Sequence, residues 1–216
     1  KGKTTAALGT VLRAAAYGLS DPDRNVAFQT NTICWIASMT KAVTVAAVMK
    51  LVEERQVGLD DPVEQYLPEF AGRPNFNGRH YPFTIRQLMV HTAGLPLDLP
   101  GQKVVDLIGG VLTDFWMSQR LPDIVQTLAQ TPLLFEPGTR QEYSNPGYFV
   151  LGRVIEVVSR KPYAVFVQER LFELLGMRDT SYAPPPSQAG RMAALYQERR
   201  GKRTLLFRFN PELKIQ

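Results

Sequence analysis

Four residues of this 216-residue chain stand at spacings that could do chemistry. Ser38 and Lys41 are three apart in Ser38-Met39-Thr40-Lys41, and Tyr143 and Asn145 are two apart in Tyr143-Ser144-Asn145. On a helix, positions i and i+3 share a face, so a Ser and a Lys at that spacing come within side-chain reach. A serine hydroxyl is a poor nucleophile until a base takes its proton. A lysine among Ala, Val and Met, as Lys41 is in this sequence, loses solvation of its charged form. That is the condition under which an ammonium gives up its proton and serves as the base. A helix start adds a positive dipole end and free N–H groups, which favour a serine alkoxide or an acyl oxyanion. Tyr143 reads either as a half-buried aromatic or as a phenol beside a lysine, able to act as acid or base. Plainer roles exist for the others: Ser38 and Asn145 as helix N-caps, and Lys41 as a lysine reaching solvent from the first turn. Chance supplies S-x-x-K about 0.3 times in such a chain, so the pattern gains its weight from the second element.

Other common catalytic patterns are absent. No serine is flanked as Gly-x-Ser-x-Gly, there is no His-Glu-x-x-His, and Gly2-Lys3-Thr4 lacks the upstream glycine of a phosphate loop. A Ser-His-Asp triad would have to draw on His80 or His91, both at loop-prone or helix-end positions. The one cysteine, Cys34, excludes an internal disulfide and a Cys-based zinc cluster, and with two histidines besides neither metal nor cofactor is expected. The composition, 44% hydrophobic and 21% charged, is that of a globular chain with a core, and no apolar run approaches the roughly 18 residues of a membrane span. The net charge of +5 resides entirely in residues 191–216, which hold seven Lys/Arg against two Asp/Glu. Clustered cations suit a phosphate-bearing partner, but a solvated surface excursion is the plainer account and no nucleic-acid partner is expected. The start has neither Met nor an apolar signal core, consistent with a chain that begins downstream of a processed or missing segment. The compartment is left open.

The elements that would position these residues follow from local pattern. Residues 10–17 read as a strand closed by Gly18, and Asp21-Pro22-Asp23 as a turn. Residues 38–57 read as a long helix with a Ser N-cap and Gly58 past its end, apolar on every face and therefore buried, with Lys50 reaching the surface. A short helical piece follows Leu59, and a Pro/Gly/Asn-rich loop runs to about Pro82. Thr84 caps a helix that ends at His91, and helices are expected at 104–120 and 123–131, split at Pro122. Asn145-Pro146 opens another helix to about Ser159, and Pro162 a last one through 175. Residues 183–187, with three prolines, read as an extended break, and the tail as a hairpin around 204–209. Helices in the interior with strands near both ends make the class α+β.

Six segments occur in one order along the chain: Trp35-Ile36-Ala37-Ser38-Met39-Thr40-Lys41, Leu59-Asp60-Asp61-Pro62-Val63, Leu88-Met89-Val90-His91-Thr92-Ala93-Gly94-Leu95, Phe135-Glu136-Pro137-Gly138, Tyr143-Ser144-Asn145-Pro146-Gly147-Tyr148 and Leu175-Gly176-Met177-Arg178-Asp179-Thr180. In these the sequence resembles the serine β-lactamase and penicillin-binding-protein-like superfamily, specifically its class C β-lactamase and family VIII esterase branch. The resemblance implies a β-lactamase/transpeptidase-like α+β fold, an antiparallel sheet flanked by helices plus a helical subdomain, with the site between them. Residues 1–216 would form one incomplete domain with the helical subdomain inserted at about 59–175. It implies Ser38 as the acylated nucleophile, Lys41 as an aid to its deprotonation, Tyr143 as proton shuttle to the leaving group and activator of water, and Asn145 as a contact to the substrate's amide or ester. The Ser38 N–H would be half of the oxyanion hole. His91 falls in a segment that looks structural, where it would stabilise a turn.

Members of that superfamily are longer and carry a third element, Lys-Thr-Gly or His-x-Gly, on a strand lining the site; residues 183–216 contain neither. The expected function is a serine hydrolase working through an acyl-enzyme on ester or amide substrates, β-lactam or D-alanyl-type among them, as an esterase or a β-lactamase-related hydrolase. The alternatives are a binding protein that is acylated or holds its ligand without turnover, and an inactive fragment that self-associates with its basic tail as a contact surface.

Overall fold

The computed structural model describes residues 17–72, 75–99, 120–182 and 184–208. The strand expected at 10–17 and the helix expected at 104–120 lie outside these residues but for Tyr17, in a bend, and Arg120, the N-cap of a later helix.

Helix α1, Thr40–Glu53, is entered through a 3-10 turn at Ala37–Met39. Ser38 therefore lies inside the turn and caps nothing, contrary to the expected N-cap. A fully buried helix was also expected. The structure buries one stripe, Thr44, Ala47, Val48 and Leu51, spaced as one helical face, and leaves Ala42, Ala46 and Met49 exposed. That stripe is the side meeting the helices described next, and small side chains on the other side cost little in water. The helix stops short of residue 57 because Arg55 is left-handed (φ 57°) and the Gln56 N–H turns back to the Leu51 carbonyl at 2.9 Å. Gly58 has another task. A Cβ there would meet the Asp61 carboxylate at 2.5 Å, and that carboxylate accepts the Gly58 N–H at 2.7 Å.

Helix α2, Ile85–Met89, starts in a capping box in which Thr84 and Gln87 exchange side-chain and backbone hydrogen bonds. Helix α3, Leu121–Ala129, was expected to begin after Pro122 but takes that proline into its first turn, where the missing N–H has no intrahelical partner to lose. Helix α4, Pro146–Ser159, is the centre of the packing. Its stripe of Gly147, Val150, Leu151, Val154 and Ile155 is buried, and it contacts α1, α2, α3 and helix α5, Tyr163–Val167, which continues as a π-turn through Phe172. Leu51, Ile85, Leu88, Val125, Leu128, Phe166 and Val167 join it in one core. Between α1 and α5 the Thr44 hydroxyl and the Tyr163 phenol satisfy each other at 2.8 Å, so the core holds a polar pair without an orphaned group.

The strands form two antiparallel hairpins. β1, Leu19–Asp21, pairs with β2, Val26–Ala27, and β3, Leu195–Arg199, pairs with β4, Lys202–Phe207. The tail hairpin is present, but its turn is Arg200-Gly201, both left-handed, which is where a tight hairpin can close. Pro186 opens a 3-10 turn to Arg191, so the expected extended break at 183–187 does not reach its end. The two ends of the described chain meet: the Ala194 N–H donates to the Ser20 carbonyl at 2.9 Å and the Ala193 N–H to Ile33 at 2.8 Å. Arg208 clasps the buried Asp21 carboxylate through two hydrogen bonds, 2.7 and 2.9 Å, and Tyr196 donates to the same group at 2.7 Å. Arg191 pairs with Asp179, so two cations of the basic tail hold the chain's own carboxylates. No helix among the described residues is long and apolar enough to cross a membrane.

Candidate active site

Three segments converge on Ser38. The first is the start of α1, which carries Ser38 and Lys41 one turn apart. Ala37, just before the serine, is left-handed (φ 43°), a conformation that strains any residue with a Cβ. Ser38 is exposed, and its N–H belongs to the first helical turn, whose donors have no intrahelical acceptor.

The second segment is 143–145, leading into α4. Asn145 was expected to cap this helix. Its backbone is instead helical and its side chain caps nothing, because the Ser144 hydroxyl, buried, accepts the Gly147 N–H at 3.1 Å. The Asn145 amide is thereby free. Its Oδ1 accepts from Lys41 Nζ at 2.9 Å, and its Nδ2 donates to Asp98 Oδ1 at 3.2 Å. The Tyr143 hydroxyl donates to Ser38 Oγ at 2.8 Å, while Lys41 Nζ reaches the same oxygen at 3.4 Å.

The third segment, 91–98, runs beside 134–145. Gly138 donates to the Thr92 carbonyl, Leu134 to Gly94 and Asn145 to Leu97, at 2.8, 2.8 and 3.1 Å. Gly94 is left-handed, and a Cβ on it would sit 2.4 Å from the Phe135 carbonyl oxygen, so only glycine lets the two segments approach this closely. That approach brings His91 and Asp98 to the site.

The Lys41 ammonium does not lie among Ala, Val and Met, the surroundings the sequence suggested. It lies 4.7 Å from the Tyr143 ring centre and 5.3 Å from that of Tyr148, whose hydroxyl is tied to the Met89 carbonyl at 2.9 Å. Burial works to raise the Tyr143 phenol, but hydrogen bonding with Lys41 and Ser38 and the Lys41 charge outweigh it, leaving the phenol below its ordinary value. The Tyr148 phenol is raised by burial and by its neighbour Tyr143. His91 is lowered by burial and by the Lys41 charge. The arrangement is thus a serine hydroxyl hydrogen-bonded to a phenol held below its ordinary value, with the Lys41 amine beside both.

All four residues singled out in the sequence meet here. His91, expected only to stabilise a turn, packs on Tyr143 with ring centres 4.6 Å apart. Asp98 and Tyr148 were not singled out. Neither carries a local pattern, although Tyr148 ends one of the resemblance segments. Lys50 pairs with Glu53 and Glu54 on the surface and takes no part. Among the described residues, no group of three or more His, Cys, Asp or Glu is placed to hold a metal ion.

At the start of α1, which packs on α4, a serine joined by hydrogen bonds to a lysine and a tyrosine defines a serine-centred site. The Beta-lactamase family model matches residues 7–211, and the chain belongs to that family. It is 32% identical over 174 residues to Protein flp of Staphylococcus aureus (strain MW2), covering 81% of this chain and 33% of that protein. It is 32% identical over 177 residues to the D-alanyl-D-alanine-carboxypeptidase/endopeptidase AmpH of Escherichia coli (strain K12), covering 82% and 44%. Among solved structures it resembles EstCE1, a hydrolase with promiscuous acyltransferase activity, with a TM-score of 0.75 and 28% identity, covering 88% of this chain and 49% of that one. A penicillin-binding protein homologue of Pyrococcus abyssi, described as octameric, aligns with a TM-score of 0.71 and 27% identity over 91% and 44%. The fold is β-lactamase/transpeptidase-like. The chain spans a third to a half of the length of these relatives.

Proposed function

We propose that this chain carries the nucleophile half of a serine hydrolase that works through an acyl-enzyme on ester or amide substrates. The observation supporting it most directly is the 2.8 Å hydrogen bond between Tyr143 and Ser38 with Lys41 beside both. In this reading Ser38 Oγ attacks the carbonyl carbon as its proton passes to the ionised Tyr143, whose negative charge the Lys41 ammonium offsets. The tetrahedral oxyanion collapses, the bond to the leaving alcohol or amine breaks, and Tyr143 returns the proton to it. Water then repeats the sequence: Tyr143 takes its proton, hydroxide adds to the acyl carbon, and as the C–O bond to Ser38 breaks Tyr143 returns the proton to Ser38 Oγ and the acid leaves. Asn145, held between Lys41 and Asp98, would meet the substrate's amide or ester side, and the Ser38 N–H would be one oxyanion donor. The relative named a hydrolase with promiscuous acyltransferase activity fits transfer of an acyl group, and the D-alanyl-D-alanine-carboxypeptidase/endopeptidase fits the amide class.

A second reading is binding without turnover. It would follow if the Ser38 N–H were the one oxyanion donor acting on the acyl-enzyme, since losing one such donor costs on the order of 10²–10³ in rate. Intact-mass spectrometry after adding a short p-nitrophenyl ester or, separately, a penicillin, with Ser38→Ala as control, decides between the two. An adduct that forms on Ser38 and decays as nitrophenol accumulates is expected for the hydrolase, and one that persists for the binder. No adduct, with the fold intact by circular dichroism, removes the hydrolase and the acylated binder, and leaves a binder only if the same ligand is retained non-covalently in equilibrium dialysis. Self-association, suggested by the octameric Pyrococcus homologue, is read in the same sample by sedimentation.

A further inference from the structure

We propose that His91 is the positioning residue for Tyr143, holding the backbone on both sides of the phenol so that its hydroxyl meets Ser38; this rests on the roles of Ser38 and Tyr143 proposed above. The His91 carbonyl accepts the Glu142 N–H at 2.9 Å, and its Nδ1 accepts the Ser144 N–H at 3.1 Å. The bonds before and after Tyr143 therefore come from a single residue. His91 is left-handed (φ 61°), a conformation in which Asn, Asp and His are enriched among residues with a side chain. In that conformation its carbonyl and its ring both reach the 142–144 segment. The imidazole then lies between two phenols, with ring centres 4.6 Å from Tyr143 and 5.3 Å from Tyr148. A side chain without an acceptor at this reach would leave an unanswered N–H at Ser144.

With Nδ1 accepting, the neutral ring carries its hydrogen on Nε2. Burial and the Lys41 charge on α1 disfavour the protonated ring, and Tyr143 and Tyr148 face it from the 143–148 segment, so Nδ1 stays an acceptor at neutral pH. The same contacts make the inference specific. Asn at this position puts its Oδ1 near the place of Nδ1 and tolerates the left-handed backbone, whereas Gln puts its acceptor farther out.

The test compares His91→Ala, His91→Gln and His91→Asn in the full chain, with tyrosines labelled at 13Cζ and the Tyr143 resonance assigned by its loss in Tyr143→Phe. The Tyr143 titration is expected to move up toward the ordinary value of 10 in H91A and H91Q and to stay with wild type in H91N. Labelling of Ser38 by a fluorophosphonate, which forms the Oγ–P bond with loss of fluoride, is expected to slow about a hundredfold in H91A and H91Q and only several-fold in H91N. An H91A protein whose Tyr143 titration matches wild type overturns the proposal, as does an H91N protein that falls with H91A. Should H91A not fold, H91Q against H91N makes the same comparison. If wild type is labelled no faster than Ser38→Ala, the hydrolase reading fails, and the phenol titration, which needs no activity, still decides the role of His91.

Discussion

The Ser144 hydroxyl accepts the Gly147 N–H at the start of α4, and this leaves the next side chain, Asn145, free to bridge Lys41 and Asp98. Two adjacent residues divide what one of them would otherwise do. The helix gets its cap from a buried group, and the site gets an amide whose orientation is fixed from both ends.

Ser144→Ala should therefore act twice. Losing the cap is expected to cost about 1 kcal/mol of stability, measured by chemical denaturation. Asn145 can then turn back to cap the helix, so Ser38 labelling should slow by more than the stability loss explains. Unchanged labelling with a stability loss would show that the cap and the site are independent.

The Lys41 charge should be visible in the pH dependence of Ser38 reactivity. Lys41 helps hold the Tyr143 phenol below its ordinary value, so Lys41→Met should move the rise in labelling rate with pH to higher pH. Tyr143→Phe should remove the rise. A K41M profile superimposable on wild type would mean that another group sets it.

Ala37 stores backbone strain next to Ser38. Ala37→Gly should stabilise the chain by about 1 kcal/mol, because only glycine is at ease at that φ, while the β-branched Ala37→Val should destabilise it. Thermal melts of the two variants decide this. Equal melting temperatures would mean that the turn relaxes freely.

The clasp of Arg208 on Asp21 should respond to acid. The Arg208 hydrogen bonds, against the opposing effect of burial and aided by Tyr196 and the Arg208 charge, hold the Asp21 carboxyl well below its ordinary 3.8. A carboxyl lowered in the folded state contributes stability above its unfolded value and loses it as pH falls from there through the folded value. The tail hairpin should thus loosen only below about pH 4. Trp35 packs edge-on against Phe207 of β4 at 4.8 Å, so in a Trp116→Phe background its fluorescence reports release. Arg208→Ala should give at neutral pH the emission that wild type reaches only in acid.

The local grammar of the chain was legible without coordinates. Thr84 and Pro146 at helix starts are each signals within a turn of the helix they open, and both helices begin where the pattern puts them, although the first ends at Met89 rather than His91. Ser38, Lys41, Tyr143 and Asn145 were legible for the same reason, since each pair lies in a short motif, and the resemblance of six ordered segments agrees with the family of the chain. The expected caps at Ser38 and Asn145 failed because capping depends on backbone angles a residue type does not dictate: Ala37 takes the strained turn before Ser38, and Ser144 is seated to reach the Gly147 N–H first. Asp98 and the clamp made by His91 could not be read locally. They join residues 47 and 53 positions from their partners, and the close passage of Gly94 against Phe135 is what brings them together. Local sequence determined where most helices lie and which side chains each segment carries. Only the packing of 91–98 against 134–145 and α1 decided which atoms of those residues face one another, because hydrogen bonds over such separations form only once the chain between them has folded.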